Sequence, residues 1–203
     1  GSDTINSGGG ADTITLSVDT ARDDIRFGAN ELGTGTASQT LIAADTINNF
    51  LVNTAANNGD TITISISAIE AITGISDFVL NGGGSVATGT TTTITDISAA
   101  TDVSALTGLV TTLAAGGITE DAIETALETG GGRAFTTDLE LGDAILVASD
   151  DGTDTYLFIV AMDVETTDNT GIEAGDLVAM QIGKIAGLAA SEDLVADSFT
   201  LIA

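Results

Sequence analysis

Hydrophobic and polar residues alternate along much of the first hundred residues. In the segment GDTITISISAI (59–69), Ile62, Ile64 and Ile66 fall on one face of an extended chain, and Thr and Ser fall on the other. This period of two predicts a half-buried β-strand. Shorter runs bounded by Gly and Asn clusters, which favour turns, predict further strands: TITLSV (13–18), DIRF (24–27), DTINNF (45–50), SDFVL (76–80) and TTTTITDI (90–97).

The apolar period lengthens after residue 100. Val103, Leu106, Val110 and Leu113 recur at spacings of three and four. That spacing places them on one face of a helix. The sequence therefore predicts a helix that ends before the glycine pair at 116–117.

A second helix is predicted directly afterwards. Thr119 is suited to the N-cap, Glu120 and Asp121 occupy the first turn, where negative charge is favourable, and Gly130 follows the end. The two segments together predict a helical hairpin at 101–137, inserted between β regions. The apolar stripe of the second helix consists of Ala122, Ile123, Ala126 and Leu127.

The last part of the chain, 138–203, returns to strand-length apolar runs. Its first two runs flank SDDGTD (149–154), in which the Asp-Gly step favours a tight hairpin. The pattern predicts an antiparallel meander. It contains AILVAS (144–149), TYLFIVAM (155–162), DLVAMQIGKI (176–185) and a final SFTLIA (198–203). The sequence thus divides into 1–100, 101–137 and 138–203.

Charge narrows the range of functions. Thirty acidic residues and four basic ones give a formal net charge of −26 at pH 7. So acidic a chain repels itself when compact unless cations bind. Because it offers no basic patch to a phosphate, the composition argues against binding to nucleic acid. The longest apolar run, at 156–162, has the length of a strand, so we expect no membrane insertion.

The residue types that are missing also matter. The chain contains no Cys, His, Trp or Pro. Without Cys and His, the usual zinc, haem and iron–sulfur sites and the Ser-His-Asp type of catalysis are excluded. Carboxylate and carbonyl oxygens remain, and these hard ligands suit calcium. The scarcity of aromatic residues for stacking a sugar, and the single Lys, lead us to expect no enzymatic activity in this segment.

The glycine-rich start of the chain carries the most specific motif. GSDTIN (1–6) and SGGGADTIT (7–15) follow the nine-residue pattern G-G-x-G-x-D-x-hydrophobic-x of calcium-binding β-helices. Glycine permits the tight turn, the aspartate supplies charge, and the apolar residue faces the interior. The alternative is a glycine-rich hairpin with solvated aspartates. Nine residues beyond Asp12 lies Ala21, and the nearest acidic residues are Asp23 and Asp24.

These motifs resemble the RTX family, the glycine-rich calcium-binding β-rolls that bacteria export by type I secretion. DTINNF and GDTITIS are similar to the segments that follow such rolls, and SEDLVADSFTLIA (191–203) resembles the family's acidic-then-apolar secretion signal. The hairpin GDAILVASDDGTDTYLFIV (142–160) resembles the terminal module of large type I-secreted surface proteins. Because the chain begins at Gly1, we expect it to be part of a longer protein.

The resemblance implies a mainly β fold in which the end of a calcium-binding parallel β-roll is followed by an antiparallel sheet or sandwich with a short helical hairpin. It also implies Ca²⁺ as the cofactor, with carbonyl ligands around Gly8 and Gly10. The implied carboxylate ligands are Asp3 and Asp12, a capping ligand at Asp45, and further ligands at Asp24 and Asp60.

Other acidic and glycine-rich stretches offer weaker candidates. Asp163, Glu165 and Asp168 share one loop, but their spacing is not that of an EF-hand, which favours a solvated hairpin loop. Asp150, Asp151 and Asp154 are interpreted as turn residues. GGGRAF (130–135) lacks the Lys and the strand–loop–helix order of a phosphate loop and is interpreted as a helix stop.

The sequence therefore predicts a secreted, calcium-dependent structural protein at a bacterial cell surface. Its partners would be other copies in a surface layer, filament or adhesin, and the type I secretion machinery during export. One alternative is the calcium-binding secretion module of an RTX enzyme or toxin. Another is a calcium-independent adhesin or fibre subunit whose acidic surface serves solubility.

Overall fold

A computed structural model describes residues 1–28, 44–54, 58–67, 77–80, 84–85, 94–96, 110–113, 117–128, 130–136, 141–163 and 172–202. Strands predominate, as expected for a mainly β protein: β1 Thr4–Ile5, β2 Thr13–Thr15, β3 Asp24–Phe27, β4 Asp45–Asn48, β5 Thr61–Ser65, β6 Asp77–Leu80, β7 Gly84–Ser85, β8 Ile94–Asp96, β9 Val110–Leu113, β10 Asp143–Asp150, β11 Thr155–Met162, β12 Leu177–Ala186 and β13 Phe199–Ile202. One α-helix, α1, spans Glu120–Leu127 in this part of the chain.

The first five strands alternate between two sheets. Sheet A has the order β1-β3-β5-β13, and all its neighbours are parallel. Sheet B begins with β2 and β4, also parallel, and continues through β12, β11 and β10. Each pass of the chain thus adds one strand to each sheet. Because every strand carries apolar residues at alternate positions, the inward faces of both sheets contribute to one core.

The predicted meander forms in sheet B. Strands β10, β11 and β12 are antiparallel neighbours, and the turn at 151–154 joins the first two. At its end, from Gly183 to Ala186, β12 pairs in parallel with β4. One strand therefore joins the coil of the first part of the chain to the meander of the last part.

The final strand lies in a different place from the one expected. The sequence assigns SFTLIA to the meander in sheet B, but β13 pairs in parallel with β5 in sheet A. Two short 3₁₀ helices, Ser191–Asp193 and Ala196–Ser198, carry the chain across. The reason is burial: Phe199 and Leu201 continue the apolar rows of Ile62 and Ile64, and all four side chains are almost fully buried.

The predicted helical hairpin is wrong in its first half. Val110–Leu113 is strand β9, which lies parallel to β10 and β8, whereas Val103 and Leu106 lie outside the described residues. A strand also accounts for the burial of Leu113, which packs in the core beyond sheet B. The Ser149 hydroxyl at the end of β10 donates to the Leu113 carbonyl at 3.0 Å and holds the two strand ends together.

The second helix begins as predicted. The Thr119 side chain accepts a hydrogen bond from the amide of Ala122, which satisfies one free donor at the helix start. Ile123 and Leu127 are buried, and they pack with Phe158 and Val160 on the face of sheet B opposite sheet A. No helix in the described ranges has the length and apolar character needed to cross a lipid bilayer.

Two hydrophobic clusters follow from this layering. The inner cluster, between sheets A and B, includes Ile14, Ile25, Phe27, Ile47, Ile62, Ile64, Leu146, Leu157, Ile159, Ile185, Phe199 and Leu201. The outer cluster, between sheet B and α1, includes Leu113, Ile123, Leu127, Phe135, Ile145, Val147, Phe158, Val160 and Met162. Strands β10 and β11 face both clusters, which explains why their sequences are almost continuously apolar.

A row of glutamates on α1 covers part of the edge of β12. Glu120, Glu124 and Glu128 follow at four-residue spacing, so they project from one side of the helix. Their carboxylates accept from the backbone amides of Gln181 at 3.3 Å, Ala179 at 2.8 Å and Gly175 at 2.7 Å, respectively. We call this set the glutamate clasp. It occupies the length of β12 that precedes its pairing with β4, so it satisfies amides that would otherwise form an open strand edge.

Replacing Glu124 with alanine is expected to lower the free energy of unfolding by about 1–3 kcal/mol, because the amide of Ala179 loses its acceptor. Chemical denaturation at neutral pH measures this loss. Glu124→Gln is the matched control, since its amide oxygen can still accept the hydrogen bond. If both variants lost the same stability, the clasp would owe its effect to charge and not to capping.

The clasp also has a pH dependence. Burial raises the pKa of Glu124 above its ordinary value of 4.5. The hydrogen bond from the Ala179 amide opposes this rise, and the nearby carboxylates of Glu128, Asp121 and Glu120 add to it. The folded state therefore binds a proton more readily than the unfolded state. The stability that is linked to this proton is fully present below about pH 4.5 and is lost as the pH rises through the raised pKa. We expect the Glu124→Gln variant to lose this part of the pH dependence.

Candidate metal centre

The glycine-rich motif forms the turn between β1 and β2. Gly8 and Gly10 have φ angles of +86° and +115°, in the region that glycine adopts without strain. Asp12 follows the turn and lies immediately before β2. The local requirement for glycine that the repeat pattern implies is therefore present at Gly8 and Gly10, and it brings the chain from sheet A to sheet B.

Three aspartates stack where the chain enters sheet A. Asp3, Asp23 and Asp60 each precede a strand, at equivalent positions of β1, β3 and β5. The Asp23 carboxylate accepts from the amide of Asp3 at 2.8 Å, and the Asp60 carboxylate accepts from the amide of Asp23 at 2.9 Å. Asp60 also accepts from the amide of Leu51 at 2.7 Å. We call these residues the first aspartate row.

A second aspartate row lies where the chain enters sheet B. Asp12 directly precedes β2, and Asp45, the first residue of β4, occupies the equivalent position on that strand. The Asp45 carboxylate accepts from the amide of Asp12 at 2.8 Å and from the Ser7 hydroxyl at 2.6 Å. The row thus includes the glycine turn, because Ser7 directly precedes Gly8. Since the strands of the two sheets alternate along the chain, the two rows lie on opposite sides of the coil.

The hydrogen bonds run in the same direction in both rows. In each pair, the aspartate of the later strand accepts from the backbone of the earlier one. Asp23, Asp45 and Asp60 are consequently buried, each with 2% of its surface exposed. Asp3 and Asp12 come first in their rows, and within the described residues neither carboxylate accepts a hydrogen bond. The oxygen atoms of these two carboxylates are therefore available to a ligand, and carboxylate oxygen is a donor that suits a hard cation.

Asp24 lies outside the rows, although the sequence suggested it as a ligand. Its carboxylate is held on the outer face of sheet A, where it accepts from Thr63 Oγ1 at 2.5 Å and from Arg26 Nε at 2.8 Å. The row position belongs to its neighbour Asp23, which the nine-residue spacing missed. The rungs are separated by 20 and 37 residues in the first row and by 33 in the second, because the turns differ in length.

The electrostatics of the rows favour a positive ion. Burial raises the pKa of Asp60 above its ordinary 3.8, and the negative charges of Asp23 and Asp19 add to that effect, while two amide hydrogen bonds oppose it. Stacked carboxylates on adjacent strands repel one another, since strands lie only about 4.8 Å apart. A divalent cation beside either row would reduce this repulsion.

The described residues do not by themselves form a complete metal site. Across the described ranges, no group of three or more acidic side chains is arranged to hold an ion. Calcium takes six to eight oxygen ligands. The residues that fit it best are Asp3 in the first row and, separately on the opposite side of the coil, Asp12 with turn carbonyls near Gly8 and Gly10. The remaining ligands at either place would be water or a further turn of chain.

The other acidic candidates have structural roles. Asp150 is buried and accepts from the amide and the hydroxyl of Ser191, so it fixes the crossover to β13. Asp151 accepts from two amides of its own turn, and Asp154 accepts from the amide of Gly187 and pairs with Lys184. Of the remaining loop candidates, Asp163 donates its amide to the Asp176 carbonyl, while Glu165 and Asp168 lie outside the described residues.

A scan against protein-family models finds no match, and comparisons with curated proteins and with solved structures find no significant similarity. The functional assignment therefore rests on the sequence motifs and on the geometry of the two aspartate rows.

Proposed function

We propose that this protein is a secreted, non-catalytic structural protein, a calcium-dependent subunit of a bacterial surface layer, filament or adhesin. Its first five strands would be the end of a parallel β-roll of the RTX type. The observation that carries the proposal is the alternation of β1 to β5 between two parallel sheets, which stacks aspartates at both crossings. The nine-residue step from Asp3 to Asp12 brings one aspartate to each sheet, as the repeat pattern implies, and longer turns separate the later rungs.

Calcium would link folding to location. With a net charge of −26 and stacked carboxylates, the compact state is penalised by repulsion when divalent cations are scarce. Outside the cell, ions that bind only the folded form shift the equilibrium toward it by mass action. The proposed ligands are Asp3 in the first row and, on the opposite side of the coil, Asp12 with the carbonyls near Gly8 and Gly10. Asp45 on β4 supports Asp12, and Asp60, directly before β5, supports the first row through Asp23.

Open sheet edges supply a route to assembly. Strand β1 is at one end of sheet A, β13 is at the other, and β2 is at an end of sheet B. Unpaired strand edges can pair with neighbouring chains. The glutamate clasp covers part of the β12 edge, whereas these three edges have no strand partner in the described part of the chain.

Imaging and metal counting test the proposal together. We expect electron micrographs of the purified chain to show ordered lattices or filaments with about 5 mM CaCl₂ and dispersed particles with EDTA. Elemental analysis of gel-filtered protein should give at least one calcium per chain. Magnesium is the control, because its smaller size and strict octahedral preference suit a carbonyl-rich turn poorly. Assembly that is the same in calcium, magnesium and EDTA would contradict the proposal.

One observation favours a second candidate, a calcium-independent fibre or adhesin subunit. The buried carboxylates of Asp23, Asp45 and Asp60 already accept backbone amides, so these rungs are satisfied without a metal. In that case the aspartate rows would act as caps that define the register of the coil. The same imaging experiment separates the two candidates.

A further inference from the structure

A shallow polar groove crosses the outer face of sheet A, away from both hydrophobic clusters. It has a volume of about 290 Å³ and reaches from β1 across β3 and β5 to β13. Four strands at the usual spacing span about 14 Å. The polar lining of the groove includes Arg22, Asp24, Arg26, Thr61, Thr63 and Thr200.

The charged side chains of the groove are held in place by hydroxyl groups of β5. Thr61 Oγ1 accepts from Arg22 Nε at 2.5 Å, and Thr63 Oγ1 donates to the Asp24 carboxylate at 2.5 Å. Arg26 Nε donates to the other oxygen of Asp24. Long charged side chains on a sheet surface are ordinarily mobile, and fixing them costs entropy. Here three hydrogen bonds already order Arg22, Asp24 and Arg26, which supplies part of the preorganisation that binding sites require.

Arg22 is unusual in so acidic a protein. Two of the four basic residues lie in this groove, yet the Arg22 guanidinium forms no ion pair with any carboxylate in the described residues. Its hydrogen bond to Thr61 uses Nε, which leaves both terminal nitrogens available to a ligand in the groove. A planar group with several N–H donors in fixed geometry matches adjacent hydroxyl or carbonyl oxygens of a ligand.

The groove offers donors and acceptors in nearly equal number and is locally balanced in charge. Arg22 and Arg26 donate, Asp24 and Asp3 accept, and the Thr200 hydroxyl does both. A hydroxyl-rich ligand uses such a mixture fully. An anionic ligand would meet two carboxylates in the groove and a net charge of −26 around it, and a cationic ligand would meet two guanidinium groups.

We propose that this groove of sheet A binds a neutral oligosaccharide, with Arg22 and Asp24 as its main hydrogen-bonding residues. Thr61 and Thr63 are positioning residues, since they hold those two side chains. The length of the groove suits a short run of sugar units. No aromatic side chain lines it, so a single site binds weakly, with a dissociation constant on the order of 1 mM.

Titration of the ¹⁵N-labelled chain tests this assignment, with maltotriose, mannotriose and chitotriose as neutral probes and trigalacturonate as the anionic probe. We expect at least one neutral probe to shift the amides of Arg26, Thr63 and Thr200 in a saturable way. Arg22→Ala should weaken that binding about tenfold or more. Arg22→Lys keeps the charge but loses the planar group, and it should weaken binding nearly as much.

Two further variants distinguish a specific role of Arg22 from the loss of a positive charge and from unfolding. Arg133→Ala removes the same charge after α1, on the other side of sheet B, and should bind as the parent does. Thr61→Val preserves shape but removes the acceptor for Arg22, so binding should weaken several-fold while the denaturation midpoint stays close to that of the parent.

Three results would overturn the proposal: no saturable shift at about 50 mM of any neutral probe, tighter binding of trigalacturonate than of every neutral probe, or shifts confined to residues outside the groove. The main binding residues, Arg22 and Asp24, are not the proposed calcium ligands, although Asp3 lines the groove. Titrations in calcium and in EDTA therefore distinguish failure of this inference from failure of the proposed calcium-dependent role.

Discussion

Replacing Asp60 with alanine is expected to lower the free energy of unfolding by about 2–6 kcal/mol. Its buried carboxylate accepts from the amides of Asp23 and Leu51, and each amide left without a partner costs about 1–3 kcal/mol. Relief of the cost of burying the charge, which raises the pKa of Asp60, offsets part of this loss. Urea denaturation of the metal-free protein measures the difference.

Two variants test whether this loss of stability is specific to the buried carboxylate in the row. Asp60→Asn keeps one oxygen acceptor and should lose less stability than Asp60→Ala. Asp24→Ala removes a carboxylate that is bonded only to side chains on the sheet surface, and it should cost about 0–1 kcal/mol. Equal losses at positions 24 and 60 would contradict the distinction between row and surface aspartates.

Calcium should raise the melting temperature of the parent chain and leave that of an Asp3→Asn/Asp12→Asn double variant nearly unchanged. A single site at a hundredfold excess over its dissociation constant stabilises by about 2.7 kcal/mol. For a chain of this size that corresponds to roughly 5–10 °C. Differential scanning calorimetry in calcium and in EDTA gives both values.

The double variant is informative because the two carboxylates accept no hydrogen bond within the described residues. In EDTA it should therefore melt close to the parent or slightly above it, as two negative charges are removed. Asp151→Asn serves as the control for a turn aspartate outside the rows, and it should keep the full calcium shift. If the double variant retained that shift, Asp3 and Asp12 would not be the ligands.

Local signals in the sequence predicted most of the individual elements. The segment DIRF is β3 from its first residue to its last, and Thr119 caps α1 as its residue type indicates. The Asp-Gly step at 151–152 forms the turn between β10 and β11. Each of these depends on residues close together in the chain, where turn chemistry, capping and side-chain alternation act directly.

The errors concern pairing between distant segments. Nothing in SFTLIA distinguishes a fourth meander strand from a partner of β5, because both positions require alternate burial of Phe199 and Leu201. Likewise, Val110 and Leu113 are separated by three residues, a spacing that a helix and a short strand both permit. This segment is a strand because it pairs with the edge of β10, and the periodicity of the sequence carries no information about that edge.

The aspartate rows and the glutamate clasp differ in how much of each can be predicted from the sequence. A strict nine-residue step from Asp12 ends at Ala21, so the row position of Asp23 appears only once the register of β1, β3 and β5 is known. By contrast, the four-residue spacing of Glu120, Glu124 and Glu128 is visible in the sequence and marks one helix face. What the sequence does not reveal is the strand edge that this face covers.

The pairing of β13 with β5 has a consequence for synthesis on the ribosome. Phe199 and Leu201 cover one end of the inner cluster, and each follows its partner on β5 by 137 residues in the sequence. Until they emerge, Ile62 and Ile64 have no neighbour on that side, and the two-sheet core stays incomplete. A nascent chain therefore cannot complete this core until the segment that holds β13 has been synthesised, and closure of the core depends on its most distant contact.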